Sequence, residues 1–185
     1  HTLLAILLAL PFAGSVVAAF LPVNARNAEA WLAGILALAA LFVVSACFQS
    51  IAVGTVLHAS FEWLPQFGLA FSLRMDGFAW LFCFLVTGFG FLVVLYARYY
   101  MSPKDPVPRF FSFLLAFMGS MLGVVLSGNL VQLVFFWELT SLFSFLLIGY
   151  WHHNAAARDG ARMALVVTSA GGLCLLVGVL LLGRI

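Results

Sequence analysis

Only one side chain in the stretch Val134–Trp151, VFFWELTSLFSFLLIGYW, can titrate at membrane depth: Glu138, near the centre of an apolar run. A carboxylate there costs at least about 2.5 kcal/mol even on permissive insertion scales. It must therefore be neutralised by a proton, paired with a cation or placed beside trapped water. Each of these states suits a proton carrier. The structural alternative is a carboxyl hydrogen-bonded to a neighbouring helix. Ser141, one turn on, and Gly149 further along share the Glu138 face, so that face suits a polar partner inside a bundle.

Other reactive types are sparse. His152 and His153 follow the run and suit either proton uptake or plain solvation, while Asp76 before Gly77 reads as a helix cap. Cys47, Cys83 and Cys174 lie far apart in apolar runs, without metal-ligand or disulfide spacing, and read as packing residues. No metal site, cofactor motif or catalytic nucleophile stands out. The pattern is that of a transporter component rather than an enzyme.

The chain is 65% hydrophobic and 8% charged, against roughly 25% charged in a soluble domain. Its mean hydropathy is +1.19. Those values describe an integral membrane protein, with lipid as its first partner. A net charge of +2, without a basic cluster, argues against nucleic acid. The apolar run at the start has no basic region before it, which argues against a cleaved signal peptide. The expectation is then a start just after a removed Met or inside a longer chain.

Runs of about 20 apolar residues match a hydrocarbon layer of about 30 Å, and they are too continuous for barrel strands. Six spanning helices are expected, near 3–21, 31–49, 77–98, 109–127, 130–150 and 161–183. Pro22 ends the first, the prolines of 102–108 hold a loop, and Ser127-Gly128-Asn129 turns the fourth span back beside the fifth. Gly119 and Gly123 form a GxxxG that reads as helix packing. Gly171-Gly172 beside Thr168-Ser169 permits close approach or a narrow wet path.

Between the second and third spans the period changes to two. Leu69, Phe71, Leu73 and Met75 alternate with Ser72 and Arg74, and Val53, Leu57, Ala59, Phe61 and Trp63 alternate with Gly54, His58, Ser60 and Glu62. Two strands around Pro65–Gly68 make a β-hairpin on the membrane face, with an amphipathic interfacial segment as the alternative. The fold class is thus an all-α polytopic membrane protein of six transmembrane helices, with this short hairpin on the outer face. Arg26, Arg98, Lys104, Arg109, Arg158 and Arg162 belong to connections one, three and five, against Arg74 and Arg184 elsewhere. By the positive-inside rule the odd connections are cytoplasmic. All these cations sit at helix ends or in loops, so none pairs with Glu138 at depth.

The segment Phe136–Trp151 resembles the glutamate-bearing fifth helix of the A-type subunits of Mrp (also Mnh or Pha) monovalent cation/proton antiporters. So do Met75-Asp76-Gly77 with Val86–Gly90, Leu95–Met101, and Leu165–Thr168 with Gly171-Gly172. The antiporter-like membrane subunits of respiratory complex I share this superfamily. Leu139-Thr140-Ser141 after the glutamate, and Ser169 and Gly172 in the sixth span, favour the Mrp branch.

The resemblance implies a larger antiporter-like fold, with residues 1–185 as one membrane domain at the N-terminal part of a longer polypeptide. It also implies that Glu138 relays protons with a lysine on a seventh helix, in a multisubunit complex exchanging sodium for protons across a bacterial plasma membrane. The rival class is a proton-pumping membrane component of a complex I or hydrogenase-type assembly. The charge count carries the topological prediction. In Lys104→Cys, a membrane-impermeant maleimide should label the loop only after permeabilisation, and labelling of intact cells would reverse the orientation.

Overall fold

The computed structural model describes residues 2–22, 26–64, 69–102 and 105–183. Helix α1 (Thr2–Ala19) runs through Pro11, and α2 (Arg26–Ala46) breaks at Cys47 before a short α3 (Phe48–Ala52). The Trp80 indole N–H donates to the Val44 carbonyl at 2.8 Å, where the α2 ladder gives way. The chain then turns at Gly54, whose φ of +80° lies in the left-handed region that glycine enters without steric cost.

Strands β1 (Leu57–Leu64) and β2 (Leu69–Met75) pair antiparallel, from Leu57 opposite Met75 to Leu64 opposite Leu69. The expected hairpin is present. Its first strand starts at Leu57 and not at Val53, because α3 and the Gly54 turn occupy the intervening residues. Its turn, Pro65–Gly68, lies outside the described residues, as do Lys104 and Arg184.

Four spans follow: α4 (Gly77–Tyr100), α5 (Val107–Leu126), α6 (Leu130–Ile148) and α7 (Ala155–Leu182). Asp76 caps α4 as expected, its Oδ1 accepting from Ala79 N at 2.9 Å. Asn129 caps α6 in the same way, accepting from Gln132 N at 2.7 Å. α7 begins six residues before the expected 161. Asn154 caps it, and an alanine-rich first turn extends it beyond the apolar run. Among the described residues, six helices, with α2 and α3 counted as one span, are long and apolar enough to cross a membrane.

α5 is the most enclosed of the spans and α7 the least. Without a hydrophobic pull between helices in lipid, close approach at small residues orders such a bundle. A Cβ at Gly119 would meet the Phe12 ring of α1 at 3.0 Å, and one at Gly123 would collide with the Phe136 ring of α6. The GxxxG is therefore a packing device, with an aromatic ring of a different helix in each notch. Gly90 of α4 takes Met118 of α5 similarly.

The hairpin caps one end of this bundle. Ala59, Leu73 and Met75 are buried against Leu4, Leu8, Leu122 and Leu126, whereas Arg74 stays exposed, as the alternation predicts. Backbone satisfaction holds the hairpin to the α5–α6 turn. Gly128 N donates to Ser72 O at 2.8 Å, Ser72 N to Gln132 Oε1 at 3.0 Å and Asn129 Nδ2 to Ala70 O at 2.8 Å. The second and fourth connections thus share one end. At the other end, Phe110 and Trp151 stand 5.6 and 5.8 Å from Tyr150, and Tyr100 stands 6.5 Å from Trp151.

Asn129 serves both a helix cap and the hairpin. Asn129→Ala should cost about 1–2 kcal/mol, mostly the lost cap, and speed amide hydrogen exchange in β2 more than in α4. Unchanged exchange in β2 would remove Asn129 as the tie.

Candidate functional site

Glu138 is the ninth of the nineteen residues of α6 and therefore sits at mid-span. Two residues earlier, Phe136 is buried in the Gly123 notch of α5. At about 100° per residue, Glu138 points about 200° away from that contact. Its carboxyl meets α7, where a Cβ at Gly172 would collide with Oε1 and would lie 3.5 Å from the Trp137 ring. Gly172 thus leaves the space that the carboxyl fills.

Oε1 is enclosed and has no hydrogen-bond partner among the described residues, although the residue as a whole is only half-buried. No ion pair to Glu138 forms among them either, in keeping with the loop and helix-end positions of the arginines. Ser141 is buried, as its place on this face suggests, but its hydroxyl donates to Trp137 O at 3.3 Å and not to the carboxyl. Thr140 donates to the same carbonyl at 2.6 Å, and Thr168 donates to Ala164 O at 2.7 Å. These hydroxyls line a cleft of about 620 Å³ between α5, α6 and α7, together with Ser144, Gly171 and Phe117. Gly149 packs near Ala161 of α7, so it shares the α7-facing side with Glu138.

The other sequence candidates stand apart from this carboxyl. His152 and His153 are exposed at the far end of α6, their rings 3.8 Å apart. Asp76 is spent on its cap and on Arg74, 3.4 Å away. Cys47 and Cys83 are buried packing residues, but Cys174 lies on the exposed side of α7.

A second carboxyl carries no local mark in the sequence. Glu29, in the first turn of α2, is fully buried, and neither oxygen has a hydrogen-bond partner among the described residues. Its polar neighbours Arg26 and Asn27 make it read as a loop residue before a span near 31–49. The signal was its phase. Glu29 falls on the stripe of Ala33, Ala37, Ala40 and Val44, which is the buried face of α2. Tyr150 is also buried with an unpartnered hydroxyl. Burial and the Asp105 charge push its phenol up to about 12 against the pull of Arg109.

Residues 63–111 match the family described as NADH-Ubiquinone oxidoreductase (complex I), chain 5 N-terminus, and residues 127–185 match NADH:quinone oxidoreductase/Mrp antiporter, TM. A probable K(+)/H(+) antiporter protein of Rhizobium meliloti (strain 1021), its A/B subunit, is 60% identical over 183 residues, covering 99% of this chain and 18% of that protein. The chain belongs to the Mrp antiporter family of the complex I superfamily, on its A-type branch.

Within that family, the A1 subunit of the Na(+)/H(+) antiporter of Staphylococcus aureus (strain JH9) is 47% identical over 129 residues, 70% of this chain and 16% of that protein. The solved Mrp complex of Dietzia sp. DQ12-45-1b superposes with a TM-score of 0.79 at 32% identity, over 94% of this chain and 18% of that one. An archaeal membrane-bound sulfane sulfur reductase shares the fold, with a TM-score of 0.80 at 21% identity, over 96% of this chain and 36% of that one. The chain therefore spans under a fifth of the length of the two antiporter proteins it matches.

The Glu138–Gly172 contact generates a stability prediction. Gly172→Ala should destabilise the intact protein by about 1–3 kcal/mol through overpacking. The loss should shrink in a Glu138→Ala background, where the colliding atoms are gone. Thermal unfolding of the four forms, read as a double-mutant cycle, measures the coupling; additive losses would mean that the two residues do not meet.

Proposed function

We propose that this chain is the proton-carrying part of a component of a multisubunit monovalent cation/proton antiporter in a bacterial plasma membrane, with Glu138 as the proton carrier. One observation carries the assignment: a mid-span carboxyl with an enclosed, unpartnered oxygen and no cation on it from the described residues. Half-buried, it keeps a side open to a further helix. A positive charge arriving there holds the carboxyl ionised. Its withdrawal raises the carboxyl's proton affinity, so Glu138 takes a proton as the charge leaves.

The relatives' names bracket the cation, since one carries K(+)/H(+) and another Na(+)/H(+). Sodium is the expectation from the sequence resemblance, and both ions belong in the assay. A proton-pumping respiratory component is the second reading. It is favoured by the similarity of residues 63–111 to the complex I chain 5 family, and co-purification of redox proteins with the intact protein would support it.

Glu138→Gln keeps the shape and hydrogen-bonding capacity of the side chain but cannot titrate. In the intact complex it should preserve assembly and reduce cation/proton exchange in vesicles to background, for sodium and potassium alike, with Glu138→Asp intermediate. Wild-type exchange by the Gln variant at wild-type protein levels would return Glu138 to a structural role.

A further inference from the structure

Glu29 and Glu138 differ in one respect that decides their chemistry. Glu138 is half-buried, so a partner can reach it from outside these residues. Glu29 has no exposed surface, so a partner docking on this bundle does not touch it unless the groups that cover it move. An ionised carboxyl sealed without a partner costs several kcal/mol. The least costly occupant of that site is a proton.

The surroundings of Glu29 support that occupant. Its neighbour Ala30 belongs to the same apolar cluster as Val107, Phe111 and Tyr150. The Tyr150 hydroxyl is buried in that cluster and itself lacks a partner among the described residues. Arg98 of α4 lies over the Trp31 ring at 5.3 Å, on a different face of α2 from Glu29. Asp105 and Arg109, from the start of α5 and the loop before it, act on Tyr150 with opposite signs. Two carboxyl oxygens and one phenol are too few ligands for a dehydrated metal cation. One oxygen is enough for a proton.

A cleft of about 380 Å³ runs between α5 and α6, lined by Arg109, Phe113, Gly149, Tyr150 and His152. Its polar rim is exposed, and Tyr150, which lines it, also belongs to the cluster that holds Ala30. A phenol donates and accepts at the same oxygen, so it can pass a proton on without ionising.

We propose that Glu29 is a second proton-binding carboxyl of this chain, loaded from the Arg109–His152 cleft by way of the Tyr150 hydroxyl. It lies at the end of the bundle opposite the hairpin and precedes both family-matched segments. The proposal concerns proton binding and stands independently of whether Glu138 drives exchange.

Infrared difference spectra of the intact protein in lipid, stepped across pH and transferred to deuterium oxide, test it without measuring transport. Glu29→Gln should remove one protonated-carboxyl band that is retained in Glu138→Gln. Where Glu29→Gln fails to assemble, Glu29→Asp should move that band and serve the same assignment. Tyr150→Phe keeps the ring packing and the band but should slow its deuterium exchange severalfold. The proposal is overturned if no carboxyl band follows residue 29, if the band responds to sodium or potassium and not to pH, or if Tyr150→Phe exchanges at the wild-type rate. Loss of antiport in Glu138→Gln bears on the transport reading alone.

Discussion

The bundle depends on how closely α5 lets its neighbours approach. Hydrocarbon solvates an apolar side chain as well as another helix does, so burial by itself does not choose which faces meet. Backbone proximity does. Gly119 and Gly123 admit the Phe12 and Phe136 rings, and a Cβ at Gly123 would deny Phe136 its seat. With Phe136 seated, the rotation of α6 is set and Glu138 must face α7. There Gly172 is the complementary omission, a missing side chain where a carboxyl lies. Two glycines on two helices thus position one titratable group.

The hairpin closes the same system from one end. In a bilayer, exposed strand edges and helix ends carry polar backbone that lipid cannot satisfy. Here the α5–α6 turn and β2 satisfy one another through Gly128, Asn129 and Gln132, while Leu73 and Met75 fill the space between helix ends. The hairpin end of α6 is therefore anchored. The opposite end, with Tyr150, His152 and the cleft beside Arg109, is bounded by aromatic contacts instead.

Much of this was legible in the residues. Six spans, the hairpin, the Asp76 cap and the paired fourth and fifth spans follow from run length, period and turn chemistry, because lipid leaves the backbone few alternatives. Glu138 declared itself because a carboxylate amid VFFWELTSLF has no solvated reading. Boundaries were less legible. The starts of α7 and β1 moved because Asn154 and Gly54 act locally, beyond the limits of the apolar and alternating patterns.

By itself the sequence determined that this is a membrane protein, which segments cross, and that one carboxyl lies at mid-depth. Those are properties of contiguous residues against a uniform solvent. Only the tertiary structure decided that Phe136 seats on Gly123, that Glu138 meets Gly172, and that Glu29 is sealed while Glu138 is not. Glu29 beside Arg26 and Asn27 has the local signature of a solvated helix start. Its burial is conferred by α4, α5 and the residues after α6, which pack on the alanine stripe below it. Burial depends on which distant segments meet, and no local pattern carries that information.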